Sequence, residues 1–295
     1  MIGIEDLHFH GRPGPQPPSS SSPHPAGSAG HDKPSGTWFD SGMANTSLPI
    51  LARYCDQLLN NAAVPDYDGA VNGLQVERKG PITRIAAAVD ASPTTVQMAA
   101  EAKANLLVVH HGLFWNKRHP WTGANYRLLR LLLENNLAVY SAHLPLDVHP
   151  KLGNNARLCA ALGFKALKPF LLERGIHVGF KTHTAISLKQ LASRLGKAVQ
   201  GPVHVIEGGP RTCRRVGVVT GGAGGELGKA AAEGVDTFIT GEGAHWTHPM
   251  AEELRVNVLY AGHYATETFG VKALCEHLSR KFKLPWTFLD HPTGL

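Results

Sequence analysis

The chain has 295 residues, of which 43% are hydrophobic and 18% are charged, enough for one large or two ordinary domains. No apolar run approaches the roughly 20 residues that span a bilayer. The N-terminus lacks a basic segment followed by an apolar one, so we expect no signal peptide. The four cysteines are scattered and form no CxxC pair. This argues against a cysteine zinc site and fits a cytoplasmic protein.

The first 42 residues differ in composition from the rest of the chain. Gly, Pro and Ser, seven of each, make up half of them. Such a segment buries too little apolar surface to offset chain entropy, so we predict a disordered low-complexity tail over residues 1–42. The tail carries two basic and four acidic residues, so the rest of the chain has a net charge of +8 where the whole has +6. Lys and Arg are scattered, and no nucleic-acid-binding motif accompanies this charge.

A helix is predicted from residue 46 or 47 to about residue 60, because a capping residue precedes apolar residues at helical spacing. An Asn-Gly loop and a short strand follow. Farther along, we predict a helix over residues 156–162 with Asn155 as its N-cap, and a last strand over residues 285–290.

One buried strand ends in two adjacent histidines and a glycine. Residues 106–109 are all apolar, which is typical of a strand covered by helices on both sides, and His110, His111 and Gly112 follow directly. Neutral imidazole is a good ligand for zinc, iron, nickel or copper. Neighbours on a strand point to opposite faces, so the two rings can share a site only if the strand ends here.

The sequence around this strand is repeated. Residues 84–115 and 215–246 have the same length and align without a gap. Each copy has a basic residue, a short apolar strand, a small-residue turn, an alanine-rich helix, a second strand and a terminal Trp. In the second copy Glu242, between two glycines, takes the place of His111.

The correspondence continues into a third strand. In both copies this strand ends in a histidine that a carboxylate follows four residues later, giving His143 with Asp147 and His263 with Glu267. A repeated strand-ending pattern of this kind indicates an internal duplication of a β-α-β-α-β unit.

The duplication predicts where a site lies. In open α/β sheets, ligands bind at the carboxyl ends of the strands. Two lobes that face each other would bring their strand-end histidines and carboxylates together, and such a set suffices for two metal ions with a bridging carboxylate or hydroxide. The predicted set is His110, His111, His143, Asp147, Glu242, His263 and Glu267.

We therefore predict an α/β fold of two duplicated lobes that face each other, with a small α+β insert between them. The predicted boundaries are residues 43–165 for the first lobe, 166–212 for the insert and 213–295 for the second lobe. The insert is a candidate lid or oligomer contact.

Two further segments allow either a functional or a plain structural interpretation. A basic, aromatic loop after the His-His-Gly strand carries Lys117 and Arg118, which would attract a phosphate or other anion at the site mouth or lie in a solvated loop. The glycine-rich turn over residues 221–225 would cradle a phosphate or serve a tight turn that needs small residues, since it matches neither common phosphate-loop pattern.

These motifs resemble the Nif-three-like family, whose members are dinuclear-metal, hexameric proteins often named GTP cyclohydrolase I type 2 homologues. The resemblance covers residues 46–292, includes several motifs in order, and is strongest to the compact bacterial form because the insert is short. The segments that carry it are residues 68–77, 109–115, 143–155, 238–242 and 261–267.

The resemblance implies a ligand set, an assembly and an activity. It implies two divalent ions per chain, of zinc, iron, manganese, cobalt or nickel, and a ring-shaped homohexamer such as a trimer of dimers. It implies metal-dependent opening of the guanine imidazole ring of GTP by hydrolysis at C8. A metal-bound hydroxide would attack that carbon, with His143 as the catalytic proton carrier, and Lys117, Arg118 or the glycine-rich turn would hold the triphosphate. Glu242 and His143 would then contact ligands or substrate rather than the ions. The implied metal ligands are His110, His111, Asp147, His263 and Glu267.

Other classes of function stay open from the sequence. A metal-handling protein that stores or delivers ions would need the same ligands but no nucleotide pocket. A ring-shaped nucleic-acid-binding or adaptor protein would use the basic surface, and its binding would be sensitive to salt. A phosphoesterase is a further enzymatic alternative, since two-metal sites commonly serve in-line displacement.

Overall fold

A computed structural model describes residues 45–115 and 120–295 of the chain. Within them the chain forms two mixed β-sheets with flanking helices. The elements of the first part are α1 Leu48–Leu59, β1 Gly73–Val76, β2 Ile85–Asp90, α2 Pro93–Glu101, β3 Leu106–His111, α3 Gly123–Glu134, β4 Ala138–Ser141, α4 Leu144–Asp147 and α5 Asn154–Ala161.

The remaining elements form the second sheet, its helices and one strand that returns to the first sheet. They are β5 Lys168–Glu173, β6 Ile176–Ser187, α6 Leu188–Val199, β7 His204–Glu207, β8 Thr212–Val218, a 3₁₀ turn Ala223–Glu226, α7 Leu227–Ala232, β9 Thr237–Thr240, α8 Thr247–Leu254, β10 Asn257–Tyr260, α9 His263–Phe282 and β11 Trp286–Phe288.

Each sheet contains a parallel unit of three strands. The first sheet has the order β1-β4-β3-β2-β11, and the second has the order β5-β6-β8-β9-β10-β7. In each sheet the three repeat strands are parallel neighbours, β2-β3-β4 in one and β8-β9-β10 in the other. This confirms the predicted α/β fold with a duplicated unit, and it places the carboxyl ends of each triplet at one edge of its sheet.

Strand β3 is buried on both faces, as its continuous apolar run predicts. Leu106 and Val108 belong to one core cluster, with α1 and α9 residues, while Leu107 and Val109 belong to another, with α2 and α3 residues. All four side chains are fully buried. A strand packed in this way holds the two histidines at its end in a fixed position.

Residues 166–212 extend the second sheet on both edges. Strand β6 pairs antiparallel with β8, and β7 pairs antiparallel with β10. The last strand, β11, follows the second sheet in the sequence but pairs with β2 of the first sheet. The described residues pack as one compact unit, and the predicted lobe boundaries stay predictions.

Helix α1 begins at Leu48, close to its predicted start, and α6 begins at Leu188 after a capping box between Ser187 and Gln190. The prediction of Asn155 as an N-cap is wrong, because α5 already begins at Asn154 after Gly153. The buried Asn155 amide instead donates to the carbonyls of Asp147 and Val178 and accepts from the Thr220 amide. It therefore joins the two lobes rather than capping a helix.

None of the helices in the described part of the chain is long and apolar enough to cross a membrane.

Candidate metal centre

The end of β3 supplies the first two side chains of the site. His110 is fully buried, His111 is partly exposed, and their ring centres lie 4.8 Å apart. His110 Nδ1 donates to the Ala142 carbonyl at 2.8 Å, and His111 Nδ1 donates to the Asp90 carboxylate at 2.8 Å. Both acceptors lie at neighbouring strand ends, so the sheet itself orients the two rings.

Helix α4 supplies a carboxylate beside His110. Asp147 is the last residue of α4, and its Oδ2 atom lies 3.5 Å from His110 Nε2. Its other oxygen accepts a hydrogen bond of 2.8 Å from Asn154 Nδ2 in α5. Asp147 is buried, so this amide fixes which oxygen faces the histidine.

Helix α9 of the second lobe supplies the other ligand candidates. His263 is its first residue and Glu267 follows one turn later, so both side chains lie on the same face. Glu267 Oε1 lies 3.5 Å from His110 Nε2, whereas Glu267 Oε2 lies 3.2 Å from the Nε2 atoms of both His111 and His263. The two oxygens of one buried carboxylate thus face two different sets of side chains.

All four histidines of the site are oriented in the same way. His143 Nδ1 donates to Asp66 at 2.8 Å, and His263 Nδ1 donates to Glu242 at 2.9 Å, as His110 and His111 do to their acceptors. A carbonyl or carboxylate can only accept, so Nδ1 of each ring carries a proton and Nε2 is the nitrogen that could bind a metal. Ligating histidines in metalloproteins almost always show this arrangement.

Two buried atoms at the centre have no hydrogen-bond partner among the described residues. They are His110 Nε2 and Glu267 Oε2. An unsatisfied buried polar atom costs about 1–3 kcal/mol, and native proteins rarely leave one without a reason. Divalent cations bound among these side chains would satisfy both atoms. Three groups of side chains have ligand atoms close enough to hold an ion: His110-His111-His143, His111-His263-Glu267 and His110-Asp147-Glu267.

The pKa values show how strongly the site's charges depend on each other. Burial alone would lower the pKa of His110, but the attraction of Asp147 and Glu267 outweighs it and raises that pKa well above its usual value. In the same way Glu267 and Glu242 outweigh burial and raise the pKa of His263 to about 9. Burial would raise the pKa of Glu267, yet the neighbouring His110 brings it far below the usual range. The buried carboxylate therefore needs positive charge beside it, from protons or from metal ions.

The centre opens into a cavity of about 730 Å³. His143 lines it, with Trp115 edge-on to its ring at 5.0 Å and the Tyr67 ring at 5.8 Å. Arg174, on the turn between β5 and β6, also lines the cavity. A ligand can thus reach the centre past aromatic side chains.

The structure brings together the residues of the predicted site that it describes. The five implied metal ligands and His143 converge, and Glu242 contacts His263 rather than the other candidates. Lys117 and Arg118 lie outside the described residues. The roles of all these residues stay predictions.

Sequence reasoning missed two carboxylates that orient histidines, Asp90 and Asp66. Asp90 carried a usable signal, because it ends the strand beside β3 and the carboxyl ends of parallel strands lie together. Asp66 carried no comparable sequence signal, since it lies in a loop 77 residues before His143.

Comparison with known proteins identifies the class to which this fold and site belong. The chain belongs to the DUF34/NIF3 (NGG1p interacting factor 3) family, whose model matches residues 49–293. This confirms the resemblance inferred from the sequence motifs.

Individual relatives match over most of the chain. A Deinococcus radiodurans protein named GTP cyclohydrolase 1 type 2 homolog is 42% identical over 247 residues, which cover 83% of this chain and 93% of that protein. A Pyrococcus abyssi protein with the same name is 40% identical and covers 83% of this chain and 98% of its own length. The crystal structure of TTHA1606 from Thermus thermophilus has a TM-score of 0.79 and 41% identity, and covers 85% of this chain and 100% of that one.

Proposed function

We propose that the chain is a metal-dependent hydrolase with a dinuclear centre, of the GTP cyclohydrolase type for which its relatives are named. The observation that carries this proposal is the position of Glu267. Its two oxygens face two ligand sets, and the central Nε2 and Oε2 atoms are buried without a hydrogen-bond partner among the described residues. A carboxylate in this position is suited to bridge two cations.

The geometry supports a division of the ligands between two ions. His110, Asp147 and Glu267 Oε1 would hold one ion, while His111, His263 and Glu267 Oε2 would hold the other. Nitrogen and oxygen ligands of this kind suit zinc, iron, manganese, cobalt or nickel. Divalent ions bound here would supply an activated water, by lowering its pKa towards about 7, and would polarise the substrate.

His143 is the residue best placed to move protons. It lines the cavity, and Asp66 holds its Nδ1 proton, so its Nε2 atom is available beside His110 and His111. An imidazole can accept a proton at one ring nitrogen and return it within one turnover. In hydrolysis at C8 of the guanine ring, two waters are consumed and the carbon leaves as formate, so proton transfers accompany each step.

The role of His143 is tested by replacing it with glutamine. We expect His143→Gln to keep its bound metal and to lose formate release from GTP by about a hundredfold or more, since acid–base groups contribute that much. His183→Gln, an exposed histidine elsewhere, is the control and should keep full activity. Loss of metal together with activity in His143→Gln would instead make His143 a ligand, and unchanged turnover would contradict its role.

A metal-handling protein is the second candidate. The side of the centre formed by His111 and His263 is partly exposed, with side-chain exposures of 20% and 30%, so solvent and small chelators can reach it. This candidate predicts rapid metal exchange with a chelator and no hydrolytic turnover.

We also propose that copies of the chain assemble as a ring-shaped homohexamer in the cytoplasm. An exposed apolar surface supports self-association. Helix α3 buries only Leu132, while Tyr126 and Leu133 on the same helix and Trp121 before it are more than half exposed. Large exposed apolar patches often mark contacts between protein chains.

A further inference from the structure

An arginine occupies a turn position that does not favour it. The turn between β5 and β6 consists of Arg174 and Gly175 alone, and both have positive φ, of 49° and 81°. Two-residue hairpin turns with this backbone prefer Asn, Asp or Gly at the first position. The geometry of the turn therefore does not explain why an arginine stands at this position, and the reason must lie in the contacts of its side chain.

The Arg174 side chain lies at the metal cavity. Its guanidinium carbon lies 4.6 Å from the centre of the Tyr67 ring, and that ring lies 5.8 Å from the ring of His143. All three residues line the cavity. The guanidinium carbon of Arg174 is therefore no farther from the centre of the His143 ring than the sum of these two distances, a span that a small organic ligand can bridge.

The charges around Arg174 leave its hydrogen-bond donors available. Glu173 and Glu226 also line the cavity, but both form ion pairs with Lys229. Among the described residues Arg174 forms no ion pair, and its contact is with the π face of Tyr67. A guanidinium that lies on an aromatic ring keeps its edge N–H groups free, and these match the oxygens of a phosphate or carboxylate.

We propose that Arg174 and Tyr67 form the subsite that binds the phosphates of a nucleoside phosphate substrate, while its base reaches the metal centre beside Trp115 and His143. This inference rests on the proposed hydrolase function. It goes beyond it by assigning substrate recognition to the β5–β6 turn, which lies in the segment between the two repeats.

Matched ligands separate this subsite from the metal centre. The affinities of GTP and guanosine for the metal-loaded full chain are measured by titration calorimetry, with formate determined in the same samples. The ratio of the two affinities reports the phosphate contribution. We expect Arg174→Asn to lower this ratio about tenfold, the scale of one charge-assisted interaction, because asparagine favours the turn and removes only the guanidinium. Arg174→Lys should restore part of the ratio.

Arg255→Asn is the matched control, because Arg255 is an exposed arginine with φ 55° at the end of α8 and does not line the cavity. It should leave the ratio unchanged. The proposal is overturned if wild type does not prefer GTP to guanosine, if Arg174→Asn keeps the wild-type ratio, or if Arg255→Asn lowers it equally. Absence of formate with a ratio that depends on Arg174 would reject the hydrolase and keep the subsite.

Discussion

At the scale of single residues, the proposed centre is a set of histidines at which a proton and a metal ion would compete for the same ring nitrogen. The carboxylates of Glu267 and Glu242 overcome the effect of burial and raise the pKa of His263 to about 9 from 6.5. In the metal-free protein at neutral pH this histidine therefore holds a proton that a metal ion must displace.

This competition fixes the sign of a pH dependence. The apparent affinity for a divalent ion should rise by at least about tenfold per pH unit between pH 7 and 8, and the rise should level off near pH 9, because each displaced proton adds one such factor. Titration calorimetry in two buffers of different ionisation enthalpy would also show proton release. Affinity that is flat or falls with pH over this range would contradict the assigned protonation.

The sequence could predict which residues converge at the site but not what orients them. His143 with Asp147 and His263 with Glu267 were visible because the repeat aligns them. The carboxylate that orients His143 was not visible in the same way, because Asp66 reaches the site from a loop whose path depends on how the sheets pack.

At the scale of elements, the turn after β8 makes room for the centre. Gly221 has φ 73°, and a Cβ atom there would overlap Glu267 Oε1 and lie 3.4 Å from His263 Nε2. Its amide donates to Thr266 and its carbonyl accepts from Thr240 and from the Gly241 amide, so the turn has little freedom to move away. The glycine-rich turn thus packs directly against the proposed ligands.

Replacing Gly221 by alanine should therefore damage both stability and metal binding. We expect Gly221→Ala to lower the free energy of unfolding by about 1–3 kcal/mol, the usual cost of a strained backbone position, and to reduce bound metal. Denaturant unfolding and metal analysis would measure the two effects. Gly225→Ala is the control, since a Cβ atom there meets nothing within 4 Å. Equal behaviour of the two variants would refute this account of the turn.

The elements were predictable to different degrees. The buried strands and the duplication follow from apolar runs and from a gap-free repeat, and both are confirmed. The pairing of β11 with β2, and of β6 and β7 with opposite edges of the second sheet, depends on contacts between distant segments that no local pattern records.

At the scale of the whole molecule, the exposed apolar surface around α3 should be buried between copies of the chain. It borders a groove of about 830 Å³ that includes Trp121 and Leu133. Leu133 is 61% exposed, so a charge at this position should hardly change the stability of the single chain. The same charge buried in an interface between copies would strongly destabilise that interface.

Leu133→Glu should therefore lower the mass of the assembly, read by light scattering, from that of a hexamer to a smaller species, with the fold unchanged by circular dichroism. Ile50→Glu, at an exposed position on α1, provides a comparison on a different helix. A wild-type monomer, or a Leu133→Glu hexamer, would contradict the proposed assembly.

The central claim is that Glu267 joins two metal ions in one buried centre. Metal content per chain, measured by mass spectrometry on protein purified without chelators, tests it most directly. We expect about two ions per chain in the native protein, as in other two-metal sites. The Glu267→Gln variant should retain at most one. Glu253→Gln, at an exposed glutamate on α8, should keep the native content. A native protein without metal, or a Glu267→Gln variant with the full native content, would contradict the account.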